Sequence, residues 1–131
     1  MGTKSLVHVK DDKKTLVTLY RQYDGYPSGM GADIKRILNE GDVKVLNGFS
    51  RSQKSPEFFN GAGCLSAYLV GQLKKNSIGD VYLYPPNSEG LGEEFVYTVT
   101  VTKKNTVNLR ILDVYKNKIL FNGQLKDFSV D

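Results

Sequence analysis

The chain has no tryptophan, one cysteine, one histidine and no long hydrophobic run, and each scarcity removes a class of protein. Cys64 alone cannot close an intramolecular disulfide or supply a four-cysteine zinc site. One His and one Cys fall short of a structural zinc site unless carboxylates complete it, so no metal and no cofactor is expected. No segment approaches the roughly 20 apolar residues of a membrane span, and the first ten residues are too short and polar for a signal sequence. A soluble chain in the cytoplasm, with no membrane partner, is the default expectation.

What remains is 131 residues, 40% of them hydrophobic and 24% charged. That composition suits one globular domain over residues 1–131, long enough to hide roughly two-thirds of the surface its unfolded form exposes. Lys and Arg number 18 against 14 Asp and Glu, a formal +4. The excess is scattered: Lys13-Lys14, Lys74-Lys75 and Lys103-Lys104 fall beside expected turns or a helix end. Nucleic-acid binders concentrate their charge on one face or segment, so nucleic acid is not the expected partner.

Residues 5–10 and 14–22 read as two strands around a polar Asp11-Asp12-Lys13 turn, and the short connection implies an antiparallel hairpin. A helix follows, with Ser28 placed to cap it, Met30, Ile34, Ile37 and Leu38 on one face, and Asn39-Glu40-Gly41 at its end. Residues 43–46 suit a short strand or the close of a loop, and residues 47–63 form the longest irregular segment. Leu65, Tyr68, Leu69, Gln72 and Leu73 predict a second helix over residues 62–75. Short strands then follow at 80–84, 94–102, 106–115 and 118–121, the last three suited to an antiparallel meander. Phe95, Tyr97, Val99 and Val101 alternate with more polar neighbours, as a half-buried strand requires. The expected fold is α+β: a single mostly antiparallel sheet with two helices packed on one face.

The densest polar and aromatic cluster is Tyr20-Arg21-Gln22-Tyr23-Asp24-Gly25-Tyr26-Pro27-Ser28-Gly29-Met30-Gly31, at the passage from strand to helix. Arg21 can fork onto a phosphate or carboxylate, and Asp24 can accept from a ligand hydroxyl or hold Arg21. Tyr23, Tyr26 and Ser28 complete a candidate ligand-binding set, with the glycines and helix start offering N–H groups to an anion. The competing reading is local: Asp24 and Ser28 satisfy turn and cap N–H groups, and Pro27 stiffens the bend. No dinucleotide or phosphate-loop fingerprint is present.

This block resembles one in a group of small uncharacterised proteins from bacteriophages and bacteria, in which His often stands where this chain has Met30. Asn60-Gly61-Ala62-Gly63-Cys64-Leu65 and Tyr82-Leu83-Tyr84-Pro85-Pro86 are similar to further blocks of that group, so the resemblance touches residues 19–97. It implies a phage or prophage context, hence a host cytoplasm, and no particular activity. Met30 implies either that this position is not an essential proton-transfer group or that this member has lost one.

Two further segments carry candidates. Arg51 and Lys54 can bind an anion while Phe58 or Phe59 stacks on a base, or the Phe pair anchors a mobile basic loop in the core. Tyr82 and Tyr84 share one strand face, as a ligand platform or as cross-strand packing. Catalytic signals are weaker. His8 reads as an ordinary strand residue, Cys64 as a buried small hydrophobe in preference to a nucleophile, and Glu93 and Glu94 as pointing to opposite faces. The preferred expectation is a non-enzymatic, phage-type accessory protein that captures a small anionic ligand such as a nucleotide, or blocks a host protein. The alternatives are a small hydrolase or transferase using Asp24 and Arg21, and a purely structural protein-interaction domain. Homo-oligomerisation is one way to protect the edge of such an open sheet.

Overall fold

A computed structural model describes residues 2–75 and 77–130. Strands β1 (Ser5–Asp11) and β2 (Lys14–Arg21) form the antiparallel hairpin, and Asp12 takes the left-handed backbone (φ 55°) that its turn needs. Period-two alternation sends Val7 and Val9 to one face and Leu6, His8 and Lys10 to the other. The chain then leaves the sheet through a π-helical turn (Pro27–Gly31) into helix α1 (Ala32–Ile37), which ends in a 3-10 turn (Asn39–Gly41). Asn39, Glu40 and Gly41 all have positive φ there, so the helix cannot continue.

Ser28 does not cap this helix. Pro27 starts a wider turn, and the N–H groups of Gly29 and Met30 both bond the Tyr26 carbonyl at 2.9 Å, so no side chain is needed for them. Strands β3 (Lys44–Leu46) and β4 (Phe58–Asn60) add a small parallel ladder beside the main sheet, resolving 43–46 as a strand and breaking the long irregular segment. Helix α2 (Gly61–Lys74) follows directly.

Strand β5 (Val81–Tyr84) returns to pair antiparallel with β2, while β6 (Phe95–Val101), β7 (Val107–Asp113) and β8 (Lys118–Gln124) form the antiparallel meander. The order is β5-β2-β1-β6-β7-β8, and its one parallel pair, β1 with β6, lies in the middle. This is an α+β fold with a mixed, mostly antiparallel six-stranded sheet and two helices. Met30, Ile34, Ile37 and Leu38 around α1 and Leu65 and Leu69 of α2 share one core with Val7, Val9, Leu19, Tyr97, Val99, Leu109 and Ile111. Both helices therefore cover the same face of the sheet.

Among the described residues no helix covers the opposite face. Strands β5 and β6 lie on opposite flanks of the hairpin, so residues 85–94 must cross it, and they do so on that face: Asn87 N–H donates to Thr18 Oγ1 at 2.9 Å and Thr15 Oγ1 donates to Asn87 Oδ1 at 2.6 Å. Leu6 is fully buried there, apart from the helix-side core. Among the described residues no helix is long and apolar enough to cross a membrane.

Candidate functional site

Arg21 ends β2 on the helix-covered face, opposite Ser5 of β1 and Val81 of β5. Its Nη1 donates to Asp33 Oδ2 at 2.7 Å and approaches the Met30 sulfur at 3.6 Å, while its Nε stands 3.9 Å from Asp80 Oδ2. The Arg21 side chain is 14% exposed, and Asp33 and Asp80 are 28% and 27% exposed, so the trio is largely shielded. Asp33 also accepts from Arg36 at 3.3 Å, and Asp80 Oδ1 accepts the Tyr23 N–H at 3.0 Å. One guanidinium thus ties the end of β2 to α1 and to the turn before β5. It is neutralised from within the chain, which leaves little charge for an external anion.

Asp24 is not its partner. Asp24 takes a left-handed backbone (φ 58°) at the turn, and its Oδ1 accepts the Tyr26 hydroxyl at 3.0 Å. That hydrogen bond, followed by the carboxylate's charge, raises the Tyr26 phenol above its ordinary value. The turn closes against the core: Gly25 N–H donates to Thr3 O at 2.9 Å, and the buried Tyr97 hydroxyl donates to Gly25 O at 2.6 Å. Burial holds the Tyr97 phenol well above the usual tyrosine range. Gly25 and Gly29 have no room for a side chain, since a Cβ on Gly25 would meet Thr3 O and Ser5, and one on Gly29 would collide with Asp24 O. The block is a tightly built corner, with the rings of Tyr23 and Tyr26 and the Ser28 side chain on its exposed outside.

The other candidates are placed elsewhere. Phe59 is 1% exposed in the core, with its ring centroid 5.4 Å from that of Tyr68, so it anchors β4 to α2 and offers no face to a ligand. Arg51 lies exposed on the 47–57 loop, and the cavity beside that loop is lined by Phe49, Gln53, Ser55, Phe58, Phe59, Asn60 and Cys64, not by Arg21 or Tyr82. Cys64 is exposed there, in contrast to the buried role expected from its type. Tyr82 and Tyr84 do share a face, half-exposed, and both rings flank Tyr20 with centroids 6.2 and 6.0 Å from it. That face is the open one. The alternation that points Arg21 toward the helices points Tyr20 and its cross-strand partner Tyr82 away from them. The three segments therefore do not converge on one concavity.

The open face gathers residues that no local motif reveals. Register aligns His8, Thr98, Arg110 and Asn122 in one cross-strand row, and Lys10, Thr100, Asn108 and Gln124 in the next. Lys10, Thr98, Thr100, Asn108, Arg110 and Asn122 line a shallow concavity of about 290 Å³. The period-two alternation of each strand was visible in the sequence, but not the strand order that sets β7 two places from β1. His8 lies 2.7 Å from Thr18 Oγ1 beneath the crossing loop, and burial there lowers its basicity against the opposing pull of Glu93 and Glu89. Glu93 is buried, and its carboxylate accepts the N–H groups of Gly90 and Leu91 at 3.0 and 2.7 Å.

The two sheet edges differ as well. Strand β5 has four residues, ends at Pro85-Pro86, and has its Val81 carbonyl occupied by Lys74 Nζ at 3.1 Å. Strand β8 has seven residues, no proline and a single charge, Lys118. Its register skips at Leu120, and Ile119 and Leu120 are 47% and 40% exposed. No protein family, curated protein or solved structure matches this chain.

Proposed function

We propose that the chain is a non-enzymatic accessory binding protein that docks another protein, a bacterial host protein in the phage context implied by the Arg21–Gly31 block, by adding that partner's strand to β8. The observation that carries this reading is the contrast between the edges: β5 is short, capped and ended by prolines, whereas β8 presents an unpaired ladder with exposed Ile119 and Leu120. An open edge binds an extended segment through main-chain hydrogen bonds, with pockets for alternate side chains adding specificity. The skip at Leu120 blunts the start of the edge, but Phe121 to Gln124 keep regular pairing with β7 and leave their far side unpaired. The engagement of Arg21 by Asp33, and of Asp24 by Tyr26, supports a structural role for that corner over a hydrolase or transferase site.

The test compares the two edges. The protein is used to capture partners from a bacterial lysate, with Leu120→Lys and Tyr82→Lys as variants. A stoichiometric polypeptide that is lost with Leu120→Lys and kept with Tyr82→Lys is expected, together with slowed amide exchange along β8 in the complex. Loss with Tyr82→Lys alone, occupation of β8 only by a second copy of this chain, or capture of nothing would overturn the reading.

A further inference from the structure

Strand β8 is one open surface of the sheet; the face away from the helices is another, and its chemistry is different. Arg110 is only partly exposed, rooted in the middle of β7, yet no Asp or Glu among the described residues lies within ion-pair distance of it or of Lys10. This is unusual for the chain's arginines: Arg21 and Arg36 are both bound to Asp33, and Arg51 is out on an exposed loop. An arginine whose planar fork of donors meets no carboxylate keeps that fork available to an arriving anion. Lys10 stands on the far side of β6 and one cross-strand row along, about 12 Å away over two strand spacings and two residues. Both side chains are long enough to reach over β6 toward each other.

Thr98 and Thr100 lie between them on β6, Asn108 lies beside Arg110 on β7, Asn122 lies beyond it on β8, and Leu109 completes the lining. Thr98 and Thr100 offer hydroxyls, and Asn108 and Asn122 offer amides that both donate and accept. No ring lines the concavity, so it holds nothing for a base to stack on, and the Tyr20, Tyr82 and Tyr84 rings lie on the other flank of the crossing loop. The volume of about 290 Å³ suits a compact solute. Two cations call for a doubly charged group, and amides and hydroxyls around them call for a polyol. We propose that Lys10 and Arg110, with Thr98, Thr100, Asn108 and Asn122 around them, form a binding site for a small sugar phosphate. The phosphate accepts from Arg110 and Lys10, and the sugar hydroxyls exchange hydrogen bonds with the threonines and asparagines. This site is independent of the β8 edge, and either proposal can fail alone.

The probe is ribose 5-phosphate, followed by isothermal titration and by amide chemical-shift changes on residues 98–122, with inorganic phosphate, ribose and a single-stranded oligonucleotide as comparisons. Saturable binding at these strands is expected, tighter than for phosphate or ribose alone, and weakened at least about tenfold in Lys10→Ala/Arg110→Ala. Arg51→Ala, a cation removed elsewhere, should leave the affinity unchanged. A second variant, Thr98→Val/Asn122→Ala, keeps both charges and should weaken ribose 5-phosphate while sparing inorganic phosphate. Equal binding by the wild type and the double-charge variant overturns the proposal. So does preference for the oligonucleotide, which would make the face a backbone-binding surface, and so does the absence of saturable binding.

Discussion

Arg21 and Arg110 are both strand arginines, both partly shielded, and they face opposite sides of one sheet. Arg21 has Asp33 at 2.7 Å and Asp80 at 3.9 Å, so its charge is answered within the chain. Arg110 has two threonines, two asparagines and another cation around it. The difference teaches that a dense run of polar and aromatic residues can be the internal fastening of a corner. Residues with no local signature can be gathered into a charged, unanswered surface by strand register alone.

The sharpest way to break this comparison is to remove each guanidinium and measure stability. Arg21→Ala leaves Asp33 and Asp80 facing one another in a largely shielded corner, and is expected to cost about 3 kcal/mol in urea unfolding, the low end for breaking a buried pair because both carboxylates keep some solvent contact. Arg21→Lys should recover only part of that, since one ammonium cannot both bond Asp33, as Nη1 does, and place a second donor near Asp80, as Nε does. Arg110→Ala should fall within about 0.5 kcal/mol of the wild type. Comparable losses at the two positions would mean that Arg21 is not the fastening described here.

A smaller effect separates the corner from helix α2. Gly29→Ala drives a methyl group into the Asp24 carbonyl and is expected to destabilise by about 2 kcal/mol. Gly71→Ala, mid-helix with open space around it, is expected to stabilise by up to about 1 kcal/mol through helix propensity. Thermal midpoints moving in opposite directions would bear this out, and a neutral Gly29→Ala would show that the corner yields.

These contrasts also mark how far the sequence could be read. The hairpin, both helices and the meander were legible because their signals are local: alternation in Phe95–Val101, helical spacing from Leu65 to Leu73, and turn residues between. The parallel pairing of β1 with β6 was not, because it depends on a loop crossing the hairpin and on no feature of either strand. The Arg21 partner was misplaced for a related reason. Asp24 is nearest along the chain, but its left-handed turn turns its carboxylate to Tyr26, while Asp33 and Asp80 arrive from other elements. Lys10 and Arg110 are a hundred residues apart, and only the sheet makes them neighbours.

His8 gives the finest division between the covered and uncovered parts of the open face, for it shares a cross-strand row with Arg110 but lies under the 85–94 crossing. Burial is the largest influence on it and lowers its pKa from the ordinary 6.5; Glu93 and Glu89 push the other way, and Lys10 adds slightly to the lowering. The folded chain therefore takes up this proton at lower pH than the unfolded chain does. Between the depressed value and 6.5 the unfolded state binds more protons, so stability is complete above about pH 6.5, declines as the pH falls through that window, and levels off beneath it. His8→Gln has no such proton to bind. The urea midpoint of the wild type should accordingly fall more steeply than that of His8→Gln on going from pH 7.5 to pH 5, by a small margin, since only one partly covered imidazole is involved. Parallel profiles would mean that the crossing loop leaves His8 as open to water as Arg110, and the division of this face into a sealed half and a receptive half would be lost.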